Sequence, residues 1–151
     1  MASDPASVAR RWFEEAWNKG SERAIDELSA ENVVGHGLGE AGNDVVGREH
    51  FRVFWRNLRT ALPDLHVRVE DTVTEGDKVA IRIILEATHL GEGLGIPPSN
   101  ERVKVGGIII ARIVNGQIAE AWNNWDQLAL LQQIRAVPAP KPADRFLSAQ
   151  I

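Results

Sequence analysis

Cysteine and tyrosine are both missing from the 151 residues, and methionine occurs once. Without cysteine the chain has no disulfide, no thiol nucleophile and no thiolate metal site. Without tyrosine, no phenol can serve as an acid or hold a reactive water. Basic residues are outnumbered, 17 Lys and Arg against 21 Asp and Glu, which gives a formal net charge of -4 and a pI near 5.6. That balance gives no support for binding nucleic acid or an anionic membrane surface. No apolar stretch approaches the ~20 residues of a membrane-spanning helix. Residues 1–20 lack the apolar run of a signal peptide, so a cytoplasmic location is the default expectation. No cluster of His and carboxylates has ligand spacing, and no phosphate-binding glycine loop sits between a strand and a helix. "GHGLG" and "GEGLG" have no accompanying P-loop lysine. A cofactor-free protein with no metal is therefore expected.

What is present is an ordinary globular composition, 44% hydrophobic and 25% charged, with five Trp and four Phe. The length fits one domain, expected over residues 1–135, with a Pro-rich tail from 136 to 151. "DPASVARRWFEEAWNKG" reads as a helix capped by Ser7. Val8, Trp12 and Ala16 form one apolar row, and Ala9, Phe13 and Trp17 form the next. "SERAIDELSA" is a shorter helix capped by Ser21. "VVGHGLGEAGNDVVG" has no helical period and reads as a loop with at most a short strand. "REHFRVFWRNLRTAL" is a third helix, with Phe51, Phe54, Trp55, Leu58 and Leu62 on one stripe and Pro63 at its end.

From residue 64 the period changes to two. One hairpin turns at Glu75-Gly76-Asp77 and a second at Asn115-Gly116, the strongest short-range turn signal in the chain. "LGEGLGIPPSNE" connects them and is long enough to be a functional loop. "DQLALLQQI" closes the domain as a short helix, with Asp126 placed to cap it. Three helices followed by about four long antiparallel strands make an α+β order. Such a curved sheet with helices over its concave face encloses an apolar cone suited to a small molecule. On the last strand Asn123 is expected to face inward. Ile118, Glu120 and Trp122 are expected on the convex face, where an exposed Trp suggests a homodimer. Phe146, Leu147 and Ile151 either dock onto a partner subunit or belong to a mobile tail.

The stretches "FEEAWNKG", "FRVFWRNLRTALPDLHVRVED", "THLGEGLGIPPSNERV" and "ARIVNGQIAEAWNNWDQLALLQQI", in that order and spacing, resemble the SnoaL-like polyketide cyclases. These belong to the nuclear-transport-factor-2-like (NTF2-like) fold, and the resemblance spans roughly residues 8–135. It implies a cone-shaped pocket for a hydrophobic, polyketide-like ester or ketone, ring closure by an intramolecular aldol step, and no cofactor. It also implies a strand aspartate that shuttles the proton, assisted by a histidine on the neighbouring strand. The resemblance puts Asn123 at the aspartate position and Ile109 at the histidine position. Asn123 is then either a hydrogen-bond partner for a ligand oxygen or buried water, or an amide that merely satisfies backbone or a neighbouring carboxylate. A neutral amide cannot take up a proton, and positioned acid–base catalysis is typically worth ~10²–10⁴-fold. The pattern therefore leaves open a cyclase with altered chemistry, a cofactor-free hydroxylase of the same fold, or a ligand-binding protein without catalysis.

The resemblance places Trp17, Phe54 and Trp55 around the pocket and His36 at its mouth. His36 is then the one imidazole base near the pocket, against the alternative of a solvated loop histidine. Asp126 is either a helix cap or a base beside Asn123. His89 opens the "THLGEG" turn and either orients that loop or contacts the ligand. His66 alternates with core valines and should face away from them, and His50 lies on the polar side of the third helix. Arg82 and Glu86, four apart on one strand, share a face, either as a polar patch inside or as an interface pair outside.

Overall fold

The computed structural model describes residues 4–139. The tail residues Phe146, Leu147 and Ile151 lie outside the described residues. The chain starts with helix α1 (Pro5–Arg11), whose N-cap is Asp4 rather than Ser7. The Asp4 carboxylate accepts from the Ser7 N–H and hydroxyl, so the cap lies three residues earlier than expected. The helix runs on as a π-helical segment, Trp12–Asn18. Helix α2 (Glu22–Leu28) is capped by Ser21, whose hydroxyl accepts from the Ala24 N–H.

Strand β1 (Ser29–His36) leads through a 3₁₀ turn at Glu40–Gly42 to the two-residue strand β2 (Val45–Val46), then to helix α3 (Arg48–Ala61). The long strands β3 (His66–Glu75), β4 (Lys78–Thr88), β5 (Arg102–Val114) and β6 (Gln117–Trp125) form the meander, and helix α4 (Gln127–Gln133) follows. The four-strand antiparallel sheet expected from the sequence is therefore the larger part of a six-stranded mixed sheet, ordered β2-β1-β6-β5-β4-β3. β1 runs parallel to β6. Its eight residues carry Gly35 and no regular alternation of apolar and polar positions, so periodicity could not reveal it.

Phe13, Trp17, Phe51, Trp55 and Leu58 of the helices meet Ile81, Ile83, Leu85, Val105 and Ile109 of the sheet in one buried core. At the free edge of the sheet, Asn18 takes the place of a missing strand. Its Nδ2 donates to the Val67 carbonyl at 2.8 Å and its Oδ1 accepts from the Val67 N–H at 2.7 Å. The π-helical turn delivers Asn18 there, and the clip covers an edge that would otherwise offer unpaired groups to another chain. The Gly-rich connection between β4 and β5 packs on the end of α3. A Cβ on Gly91 would lie 2.0 Å from the Thr60 carbonyl oxygen, and the Leu90 and Gly91 N–H groups both donate to Ala61 O at 3.1 Å.

One irregularity corrects the expected facing of β6. Between the pairs Ile113↔Ile118 and Arg112↔Glu120, β6 advances two residues while β5 advances one. This bulge reverses parity, as an extra residue in one strand must. Ile118, expected on the convex face with Glu120 and Trp122, is buried at 6% exposure. The convex face keeps Trp122, Ile108 and Ile110. Arg82 and Glu86 also lie outside: Arg82 pairs with Asp71 at 3.1 Å, while Glu86 meets Arg68 and Arg102 at 3.7 and 3.6 Å. No helix among the described residues is long and apolar enough to cross a membrane.

Asn18→Ala removes both hydrogen bonds of the edge clip and is expected to lower stability by roughly 1–3 kcal/mol. Asn18→Asp should recover little, because a carboxylate accepts from the Val67 N–H but repels its carbonyl. Thermal or urea unfolding of the two variants beside the wild type measures both effects.

Candidate ligand site

Between the helices and the concave face lies a cavity of about 110 Å³. Trp12, Phe13 and Trp17 close it from the N-terminal helical run, and Phe51, Phe54 and Leu58 from α3. Ile81, Ile83, Leu85, Val105 and Ile109 form its floor, and Gly35, Leu38 and Val45 border it at the β1–β2 connection. From β6 come Ile118, Ala121, Asn123 and Trp125, the bulge letting Ile118 share the inner face with the other three. Aromatic edges meet across the roof: Trp17 packs edge-on against Phe51 and Phe54 with centroids 6.0 and 6.3 Å apart. Edge-to-face pairs of this kind hold flat walls apart at fixed angles.

No titratable side chain lines the cavity among the described residues. The Ser29 hydroxyl is spent on the Ile25 carbonyl at 2.5 Å. Asn123 stands opposite Ile109 in the β5–β6 ladder. Its Nδ2 donates to the His36 main-chain carbonyl at 3.0 Å and lies 3.5 Å from the Ala121 carbonyl. Among the described residues the cavity wall therefore offers no side-chain acid or base. Binding, orientation and hydrogen bonding remain.

Of the residues singled out in the sequence, Trp17, Phe54, Ile109 and Asn123 border the cavity, and Trp55, His36, His89 and Asp126 do not. Trp55 is core: it is 6% exposed and its indole N–H donates to the Ala16 carbonyl at 2.8 Å. Asp126 is the α4 cap, accepting from the Ala129 N–H at 3.0 Å. His89 is fully buried and shapes the β4–β5 connection, where its Nδ1 accepts from the Ser99 N–H at 3.1 Å. Burial lowers its pKa, and its other ring nitrogen, Nε2, is buried without a partner. The lining residues not singled out as site residues include Trp12, Phe51, Leu38 and Trp125. Trp12 and Phe51 were legible as apolar stripe positions, but nothing local separates a wall from a core contact.

His36 is the main correction. It does not stand at the pocket mouth: as the last residue of β1 it pairs with Trp122 and shares the convex face with it. Its ring stacks on Trp122 with centroids 5.5 Å apart and planes 25° apart. Nε2 meets the Glu120 carboxylate at 2.6 Å and Nδ1 the Asp44 carboxylate at 3.2 Å. Arg112 reaches Glu120 from the other side at 3.3 Å, and the Lys78 ammonium lies 5.7 Å from the Trp122 ring centre. The hydrogen bond to Glu120, with Asp44 beside it, raises the His36 pKa above its ordinary value. Two carboxylates holding both ring nitrogens suit an imidazolium and leave no lone pair for a general base.

The cone-shaped α+β fold with an apolar interior defines the NTF2-like class. Within that class the SnoaL-like polyketide cyclase family matches residues 7–134, and the chain belongs to it. Several solved structures are similar. AclR of Streptomyces galilaeus, provisionally assigned as a hydroxylase, is 25% identical with a TM-score of 0.79, over 99% of this chain and 92% of its own. IdmH of Streptomyces antibioticus, provisionally assigned as a polyketide cyclase, is 28% identical with a TM-score of 0.76, over 88% and 99%. TsrD of Streptomyces laurentii is 30% identical with a TM-score of 0.76, over 87% and 95%. A search of curated proteins found no match.

The two histidines oppose each other in their effect on stability. His36, with its raised pKa, contributes stability that is complete below the unfolded value of about 6.5 and fades as pH rises through the folded value. His89, with its lowered pKa, contributes stability that is complete above about 6.5 and fades as pH falls through the folded value. NMR titration is expected to show His36 above and His89 below that value, with Glu120→Gln moving His36 downward and leaving His89 in place.

Proposed function

We propose that this protein is a SnoaL-like enzyme acting on a small, hydrophobic, oxygen-bearing compound of the polyketide type, with Asn123 as a hydrogen-bonding group in the family's aspartate position. The observation that carries this reading is the cavity lining: mainly apolar and aromatic, without a titratable side chain among the described residues, and with the Asn123 amide on the β6 wall. In such a site the cone contributes desolvation and orientation. Bringing two parts of one flexible chain into reacting contact can by itself account for a large share of a cyclisation barrier. Proton transfers then run between substrate groups and water rather than through a side-chain base. The likeness to AclR over 99% of the chain favours a second reading, cofactor-free hydroxylation in the same cavity.

The proposal includes a homodimer formed through the convex sheet face. Ile108 and Ile110 are 52% and 41% exposed there, and they share that face with Trp122, with the oppositely charged Arg82–Asp71 and Arg112–Glu120 pairs around them. Light scattering at micromolar concentration should give twice the chain mass, and a monomer would overturn this part.

Asn123→Asp tests the assignment of position 123. The new carboxyl would face the His36 and Ala121 carbonyls in a largely apolar cone, so its pKa should rise toward neutrality. Proton exchange at the α-carbon of an activated ketone, followed by NMR in deuterated water, should then accelerate by about ten-fold or more over the wild type. A variant that stays folded and is no faster would show that position 123 is not placed to act on the ligand. Some stability should be lost, because an ionisable carboxyl replaces a neutral amide in a part-buried, largely apolar place.

A further inference from the structure

We infer that the cavity recognises its ligand through a hydroxyl group, an alcohol, phenol or enol, that donates a hydrogen bond to the Asn123 side-chain oxygen. The inference rests on the ligand-binding cavity proposed above and adds the polar half of its selectivity.

An amide has a donor end and an acceptor end, and the surroundings decide which faces the ligand. A main-chain carbonyl can only accept. Two of them, from His36 at 3.0 Å and Ala121 at 3.5 Å, face one end of the Asn123 amide. That end must be the NH₂ group, because reversing the amide would set its oxygen against both carbonyls. Oδ1 is left as the free end, and no described residue donates to it. The other lining side chains are apolar or aromatic except Ser29, whose hydroxyl is spent on Ile25, and Trp125, whose indole N–H is buried without a partner. Asn123 Oδ1 is the side-chain acceptor of this wall, and an acceptor selects an O–H over a bare carbonyl or ether.

The orientation is held firmly because the His36 main chain is fixed on three sides. Its side chain is tied to Glu120 and Asp44 and stacked on Trp122. Immediately after it, Gly37 passes so close to β6 that a Cβ there would lie 2.5 Å from the Asn123 main-chain oxygen. The carbonyl that holds the amide therefore cannot drift away when a ligand enters. His36 is a positioning residue for Asn123, acting through its main chain from the opposite face of the sheet.

The cavity, at about 110 Å³, is on the scale of one aromatic ring, since an apolar cavity of about 150 Å³ takes up benzene. Phenol and toluene, nearly equal in size, are suitable probes, with anisole as an ether that keeps the oxygen but has no O–H. Dissociation constants would be measured by ligand-detected NMR on wild type and on Asn123→Leu. The ratio of toluene to phenol dissociation constants is expected to fall about five-fold or more in the variant, the scale of one buried hydrogen bond. Should Asn123→Leu fail to fold, wild type alone decides, with phenol expected to bind at least about five-fold more tightly than anisole. Toluene binding with an unchanged ratio, or anisole binding as tightly as phenol, overturns the inference and leaves the cavity reading intact. A wild type that takes up none of the three overturns both.

Discussion

The parallel contact between β1 and β6 is the constraint on which the rest of the site depends. A meander of four antiparallel strands is an open, twisted surface, and it becomes a cone only when something closes the side beyond β6. β1 does this, and it can run alongside β6 only because helices α1 and α2 return the chain to that edge first. Where β1 leaves, three requirements meet within two residues. The His36 carbonyl receives the Asn123 amide, the His36 ring lies against Trp122 on the outer face, and Gly37, at φ +71°, passes where no Cβ fits. A side chain at 37 would push β1 off β6, and the cavity wall, the amide orientation and the outer ion cluster would be lost together.

The β6 bulge is the second constraint, and it works in concert with the first. Strict alternation from Ile118 would put either Ile118 or Asn123 inside, but not both. The extra residue between them lets the base of the strand bury Ile118 in the core while its far half presents Ala121, Asn123 and Trp125 to the cavity. The same shift leaves Glu120 and Trp122 outside, under His36. Inner wall and outer cluster are two faces of one irregular strand.

Much of the fold was legible. Helices α2 and α3, the turns at Gly76 and Asn115-Gly116, and the four long strands follow from capping residues and from period-two patterning that local sequence carries. β1 was not legible, because its partner lies some 87 residues away in sequence, as the Asn123–His36 contact shows; its own residues alternate poorly. The bulge was not legible either, since "QIAEAWNNW" reads equally well as an unbroken strand. Every misplaced site residue traces to one of these features or to an ambiguity that sequence leaves open. Reading residues 33–47 as a loop with at most a short strand let the family resemblance put His36 at the mouth of the pocket. Treating β6 as regular put Ile118 outside. Trp55 and Phe54 are neighbours on α3 and only their partners tell them apart: Trp55 spends its N–H on Ala16, whereas Phe54 faces the cavity.

Replacing a strand carboxylate by an amide changes what the cavity asks of its ligand. An aspartate at position 123 would face the His36 and Ala121 carbonyls, and could keep that arrangement only by holding a proton between itself and one of them. Such an acid sits near the balance between donor and acceptor, which is what proton shuttling requires. Asparagine occupies the same place with its hydrogen atoms fixed. Its Nδ2 faces the two carbonyls and its oxygen has no described donor, so under the proposed assignment of position 123 a titrating group would give way to a static one. On that assignment the geometry would remain: one acceptor in a largely apolar cone, its direction set by the main chain of the neighbouring strand.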